Sequence, residues 1–175
     1  MSKRRIDKRK VVAYRKDIYN LGRSFLFAFR GFQFTVDNER NMRIHLSVIV
    51  FVLEFSFLYG LTKTEYIQLI TLFGLVLTAE MINTAIEALV NLQTQSYQNL
   101  ARIAKDVAAG AVLVLAVASV VVGIIIFFDI PKLQQSFLYM VEHPWIIAGF
   151  LVELALALLF IFRWNRRTLL KRKKK

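Results

Sequence analysis

One apolar segment of the chain carries three side chains capable of acid–base or metal chemistry, in the pattern Glu80-x-x-Asn83-x-x-x-Glu87. At about 100° per residue of an α-helix, Asn83 lies about 60° and Glu87 about 20° from the direction of Glu80, so all three share one face. An ionisable group inside a membrane-crossing helix costs about 3 kcal/mol or more, so each one calls for a reason. The alternative is that these side chains only form hydrogen bonds between helices and so serve assembly. Two glutamates on one face make this alternative less favoured than a single glutamate would.

Further charged residues lie where we expect the same membrane face to be. Lys105-Asp106 directly precedes the third long apolar run, and Glu39 and Arg43 precede the first, Leu46–Leu61. Together these groups could supply the parts of a site that transfers a phosphoryl group. Carboxylates would hold Mg²⁺, a lysine would stabilise the charge of the phosphates, and a further carboxylate would act as base toward the hydroxyl that receives the phosphoryl group. Neither common glycine-rich phosphate loop occurs in the chain. The spacing alone does not assign a role to each residue.

Three other ionisable residues lack such neighbours. Glu54 and Glu153 each stand alone in an apolar run, and we interpret them as structural or interhelical groups. His45 is a candidate metal ligand, but a lone histidine at a membrane interface more often forms a hydrogen bond or extends toward the headgroups. The chain has no cysteine, which excludes disulfides, thiolate zinc sites and a cysteine nucleophile.

Four apolar runs predict four transmembrane helices, at about 46–61, 67–90, 107–128 and 145–162. Runs of about 20 residues match the hydrocarbon core of a bilayer, and a helix satisfies every backbone polar group internally. The chain is 57% hydrophobic, and its first long run begins too late to be the core of a signal peptide. The sequence therefore predicts an all-α integral membrane protein.

Positive charge is concentrated at the two ends of the chain. Of the 24 Lys and Arg, 12 lie in residues 1–45, 8 in residues 163–175, and 4 between them. Basic tails are also typical of nucleic-acid-binding arms, but two basic ends around an apolar middle favour a membrane protein, and we expect no nucleic-acid partner. Because positively charged loops are retained inside the cell, both termini and the connection 91–106 are predicted to be cytoplasmic.

An amphipathic segment precedes the first span. Within Leu21–Val36, helical spacing aligns Leu21, Phe25, Ala28, Phe29 and Phe32. This pattern predicts an N-terminal helix in the cytoplasmic interface, although packing of the same face on the other helices is equally favoured. Residues 1–17 are predicted to be a basic cytoplasmic tail. Residues 129–144, which contain both prolines, are predicted to be an outward-facing loop that leads to the fourth span and the basic tail, ending at residue 175.

Three stretches resemble the prokaryotic diacylglycerol kinase family of small membrane-embedded lipid kinases: AEMINTAIEALV (79–90), ARIAKDVAAGAVL (101–113) and NERNMRIHL (38–46). The sequences of these motifs are most similar to those of the undecaprenol kinase branch, and the resemblance covers about residues 24–128. It implies a bacterial inner-membrane enzyme that transfers the γ-phosphoryl group of ATP to a lipid hydroxyl. Undecaprenol is the expected acceptor and diacylglycerol the alternative, with a non-catalytic membrane scaffold as a further alternative.

The resemblance also implies a division of the chain and of its site. Residues 18–128 would be the kinase core, with three spans, and the fourth span an addition that catalysis is expected not to require. The resemblance further implies a homotrimer whose active sites are shared between subunits. Glu39 is therefore expected to lie beside Glu80 and Glu87 of a neighbouring subunit. Asn91 departs from the aspartate usual in the family. The resemblance implies that Glu80 is the catalytic base, supported by Asn83, and that Glu39 and Glu87 bind Mg²⁺ and the nucleotide. It places Lys105 and Asp106 in the ATP site. A looser match adds Ser96, Tyr97 and Gln98 to that site.

Overall fold

A computed structural model describes residues 8–93 and 98–163, and all regular structure in these ranges is helical. The predicted all-α fold is confirmed, with no strand in the described part of the chain. The described helices, in chain order, are α1 (Lys8–Asn38), α2 (Arg40–Tyr59), α3 (Lys63–Gln93), α4 (Gln98–Phe127), α5 (Ile130–Glu142) and α6 (Pro144–Arg163).

Among the described residues, four helices are long and apolar enough to cross a membrane, namely α2, α3, α4 and α6. The 20 residues of α2 extend about 30 Å, which is the thickness of a bilayer hydrocarbon core. All four helices begin earlier than the predicted spans: α6 by one residue, and the other three at Arg40, Lys63 and Gln98 rather than at residues 46, 67 and 107. Apolar runs identify the part of a helix that contacts lipid, so the predicted spans left out the polar first turns.

Residues 8–34 of α1 form the described part of a first unit, and the last turn of α1 belongs to the second unit. Residues 8–17, predicted to belong to a basic tail, are helical. The apolar face predicted for this segment is exposed at Leu21, Phe25 and Phe29. An exposed apolar face on a helix that also carries arginines is suited to a membrane interface.

The second unit contains the remaining helices, and α3 and α4 form its most extensive helix pair. Helix α2 packs against α3 and also against α6, while α5 contacts both α2 and α6. Few apolar side chains are fully buried, among them Met42, Leu69 and Val112, and most of the apolar surface of α4 and α6 is exposed. Such a distribution is expected when lipid surrounds the helices.

The turn between α2 and α3 is specified by local sequence. Gly60 ends α2 with a φ of 70°, a left-handed conformation that glycine adopts without steric cost, and its N–H donates to Ser56 O at 3.1 Å. Thr62 and Glu65 then form a capping box at the start of α3. The Glu65 carboxylate accepts hydrogen bonds from both the N–H and the hydroxyl of Thr62, each at 2.7 Å.

The prediction of a loop over residues 129–144 is wrong, because α5 occupies most of this segment. Asp129 caps the helix by accepting a hydrogen bond from the Lys132 N–H at 3.2 Å. Neither proline interrupts a helix: Pro131 lies in the first turn of α5, and Pro144 begins α6. The first turn is where proline is tolerated, because its missing N–H would have no intrahelical partner there.

Candidate active site

The most deeply buried ionisable residue of the site is Glu80, in the middle of α3. Its side chain is 1% exposed, and neither carboxylate oxygen has a hydrogen-bond partner. The neighbouring Thr84 hydroxyl donates instead to the Glu80 backbone carbonyl, at 2.9 Å. A buried carboxylate without partners is costly, so this group is poised to interact with something outside the chain.

Asn83 and Glu87 extend the same face of α3 by two further turns. The Asn83 amide donates from Nδ2 to Glu87 Oε1 at 3.2 Å, which orients the amide group. The opposite atom, Asn83 Oδ1, is buried and has no partner. Three polar atoms, two on Glu80 and one on Asn83, are therefore buried with unused capacity to accept hydrogen bonds.

Glu39 joins this face from a second element. It occupies the N-cap position of α2 in an extended conformation, with no capping hydrogen bond from its side chain. Burial raises the pKa of Glu39, the nearby Glu87 charge raises it further, and Arg43 acts in the opposite direction. Glu80 also lies within electrostatic range of both Glu39 and Glu87. The three carboxylates therefore lie within electrostatic range of one another in the structure of a single chain.

A cavity of about 220 Å³ lies against two of these residues, Glu80 and Asn83. Its polar wall contains Glu80 and Asn83 from α3 and Asn41 and His45 from α2, and α4 supplies Ala109. Sequence analysis did not assign a role to Asn41, although its spacing of four residues from His45 places both on one face of α2. The cavity is small and partly enclosed, as is typical of a site that limits the access of water.

An apolar cavity of about 360 Å³ adjoins the polar one. The two share Ile44 and His45 of α2 and Ala116 of α4 in their walls. Beyond these residues the larger cavity is lined almost entirely by aliphatic and aromatic side chains, among them Val52, Leu69 and Phe73. An elongated apolar molecule with one polar end therefore fits this pair of cavities, with its polar end toward Glu80.

Lys105 lies on α4 and contacts the end of α3. Its ammonium group donates to Asn91 Oδ1 at 2.7 Å, linking the end of α3 to the start of α4. Because Asn91 is neutral, this bond leaves the positive charge of Lys105 available to an anion. Asp106 is exposed. Ser96 and Tyr97, and the side chain of Gln98, lie outside the described residues.

The residues present fit a magnesium ion that is bound together with a nucleotide. Among the described residues there is no group of three or more His, Cys, Asp or Glu side chains positioned to hold a metal by themselves. Mg²⁺ bound with a nucleotide characteristically uses one or two carboxylates together with phosphate oxygens and water. Glu39 and Glu87, hard oxygen ligands within electrostatic range of each other, match that requirement.

Comparison with known proteins agrees with this description. The prokaryotic diacylglycerol kinase family profile matches residues 26–127. The chain is 40% identical over 120 residues to an undecaprenol kinase of Bacillus subtilis, covering 69% of this chain and 96% of that protein. It is 43% identical over 105 residues to a diacylglycerol kinase of Synechocystis sp., covering 59% of this chain and 60% of that protein. No solved structure gives a significant match.

This chain belongs to the prokaryotic diacylglycerol kinase family, as the motifs had indicated. It is a bacterial multi-pass membrane protein and a lipid kinase. Helices α5 and α6 lie beyond the residues that the family profile matches.

Proposed function

We propose that this lipid kinase phosphorylates undecaprenol, producing undecaprenyl phosphate and ADP. The observation that carries the proposal is the buried, unpartnered Glu80 carboxylate in the wall of a polar cavity that adjoins an apolar one. The similarity to an undecaprenol kinase over 96% of that protein's length supports this acceptor. Diacylglycerol is the alternative acceptor, since the chain is also similar to a diacylglycerol kinase over part of its length.

In this proposal Glu80 is the general base. It accepts the proton of the lipid hydroxyl as that oxygen forms a bond to the γ-phosphorus and the bond between the γ-phosphorus and the β–γ bridging oxygen breaks, releasing ADP. Asn83 supports Glu80 from the same wall of the cavity, with its amide held in orientation by its bond to Glu87. The apolar cavity takes the first part of the lipid chain, which aligns the hydroxyl with Glu80.

ATP would lie beside Lys105, whose charge stabilises phosphate oxygens as negative charge shifts toward the leaving group. Asp106 belongs to the same nucleotide site. Glu39 and Glu87 would hold Mg²⁺ against the phosphates, and when bound this ion supplies charge neutralisation for the transferred group.

A homotrimer is the proposed assembly, as the family resemblance implies. Both termini and the nucleotide site are proposed to face the cytoplasm, where ATP is available and where the basic ends of the chain are retained. A non-catalytic scaffold is disfavoured, because such a role gives no reason to keep a buried, unpartnered carboxylate within electrostatic range of two others.

The decisive experiment offers the purified protein Mg-ATP with either undecaprenol or diacylglycerol, each in mixed micelles at matched mole fraction. We expect kcat/KM to be much higher for undecaprenol. A higher kcat/KM for diacylglycerol would show that diacylglycerol, and not undecaprenol, is the preferred acceptor. Transfer to neither lipid by protein that is folded and binds ATP would favour the scaffold.

A further inference from the structure

Helix α5, which lies beyond the residues that the family profile matches, is attached closely to two membrane spans. Two residues separate its start from the end of α4, and His143 alone separates its end from the start of α6. The apolar run of α4 continues to Phe128, and that of α6 begins at Trp145. Even two fully extended residues reach only about 7 Å, so both ends of α5 are held at the edge of the hydrocarbon core.

These attachments also set the direction of α5. Helix α6 enters the membrane from the face at which α4 leaves it, so the two ends of α5 lie at a similar depth. The 13 residues of α5 extend about 20 Å, which is too short to cross a hydrocarbon core of about 30 Å. Helix α5 therefore lies along the membrane plane.

One face of α5 packs against the end of α2. Ser136 on this face is buried, and its hydroxyl lies 3.5 Å from Leu58 O. The Tyr59 hydroxyl accepts a hydrogen bond from the Asp129 N–H at 3.2 Å, and the Lys132 ammonium lies 5.4 Å from the centre of the Tyr59 ring. These contacts fix the rotation of α5 about its axis, and with it the set of residues that α5 turns away from α2.

The face of α5 turned away from α2 has an apolar part and a polar part. Four exposed apolar side chains fall within an arc of about 100° around the helix axis: Ile130, Phe137, Leu138 and Val141. Gln134 is a polar member of this arc. The exposed Glu142 and Gln135 lie about 40° and 60° beyond its edge. Such a division is typical of a helix that lies in a membrane interface.

We propose that α5 is an interfacial helix whose apolar face, formed by the four apolar residues named above, inserts among the lipids of the leaflet at which α4 ends. The partner of this surface is the bilayer itself. Trp145, which follows directly, is 67% exposed, and tryptophan is enriched at the boundary between hydrocarbon and headgroups. The apolar face of α5 is thus continuous with the lipid-facing surface of α6.

The division of the exposed face favours lipid over another protein chain as its occupant. A face covered by protein would be expected to be apolar across its whole width, whereas here polar residues begin where headgroups and water would begin. The placement holds whichever lipid is phosphorylated and whichever chains share a site. A segment expected from the sequence to be an outward-facing loop thus becomes a membrane-bound element.

Site-directed spin labelling tests this placement, and the absence of native cysteine allows single cysteines to be introduced. Phe137→Cys and Val141→Cys report on the apolar face, and Gln135→Cys and Glu142→Cys are matched controls at exposed polar positions of the same helix. Each labelled full-length chain is reconstituted into vesicles of phosphatidylcholine and phosphatidylglycerol. Relaxation of the label by oxygen, which partitions into lipid, is compared with relaxation by a water-soluble nickel chelate.

We expect oxygen to relax the labels on the apolar face several-fold more than the chelate does, and the reverse at the two polar positions. A label in Leu151→Cys, an exposed position about 10 Å along α6, should be still better protected from the chelate. Preference for the chelate at all four positions of α5 would place the helix in water and overturn the proposal. Protection of the apolar face from both reagents would show that protein covers it, such as a neighbouring copy, and would overturn the proposal equally.

A second measurement uses a native side chain and needs no label. The chain has two tryptophans, so Trp164→Phe leaves Trp145 as the only one. Phospholipids brominated near the headgroup end of the acyl chain should quench its fluorescence more strongly than phospholipids brominated near the methyl end. Stronger quenching at the methyl end, or no quenching by either lipid, would refute an interfacial position for the junction of α5 and α6.

Discussion

The substitution Glu80→Gln examines the centre of the proposed site with almost no change of shape. Glutamine keeps the length and volume of the side chain and removes both the negative charge and the ability to accept a proton. The Thr84 bond to the backbone carbonyl of residue 80 is unaffected by the change. The perturbation is therefore confined to the carboxylate.

The size of the effect follows from the burial of Glu80. Because the side chain is only 1% exposed, bulk water does not reach this position and cannot replace the lost carboxylate as a proton acceptor. Loss of a general base typically lowers the rate by a factor of about 10²–10⁴, which is about 3–5 kcal/mol of transition-state stabilisation. Folding should not suffer, because the variant removes a buried carboxylate without hydrogen-bond partners rather than a satisfied one.

The assay measures kcat at saturating lipid and ATP, with thermal unfolding in detergent as the test of folding. Glu142→Gln is the matched control, because the same chemical change then occurs at an exposed carboxylate at the end of α5. We expect the control to retain wild-type turnover. The Glu80→Gln variant should bind ATP normally while its turnover falls by the stated factor.

The result that would refute this reasoning is wild-type turnover in the Glu80→Gln variant. His45 would then be the first alternative, since it is the other titratable side chain lining the same cavity. Loss of activity in His45→Gln together with normal activity in Glu80→Gln would assign the base to α2 rather than α3.

Three further predictions concern the metal, the nucleotide and the topology. Glu39→Gln and Glu87→Gln should each raise the Mg²⁺ concentration for half-maximal activity, since a hard cation loses an anionic ligand; superimposable titrations would remove them from the metal site. Asn91→Asp should raise the KM for ATP by at most about fivefold, because an exposed ion pair with its lysine partner is worth about 0–1 kcal/mol. A lowered KM would contradict this. In intact cells a membrane-impermeant thiol reagent should label Lys132→Cys and leave Lys174→Cys unlabelled, and the reverse would invert the topology.

The sequence alone determined the features that depend on short-range periodicity and composition. Apolar runs of nearly membrane-spanning length predicted four crossing helices, because a bilayer imposes both their length and their helical backbone. The 3.6-residue repeat placed Glu80, Asn83 and Glu87 on one face of α3, where the structure has them. The motifs around these residues identified the family.

Helix ends and the 129–144 segment were less well predicted. Hydropathy identifies the residues that contact lipid. It therefore did not detect the polar start of α4 or the amphipathic helix α5. Prolines suggested a loop, yet in the first turn of a helix they do not oppose helical structure. These errors arise because the backbone of a helix continues where its lipid-facing surface does not.

Only the tertiary structure decided how the site is assembled. The bond from Arg43 to Ile161 joins residues 118 positions apart, and the stacked rings of Phe51 and Phe150 are nearly as distant along the chain. No periodic pattern encodes such contacts, because each depends on which helices pack together and in which register. Packing likewise brought Glu39 of α2 within electrostatic range of Glu80 and Glu87 of α3. Residue types specified the chemistry available to this protein, and helix packing determined which of those residues meet.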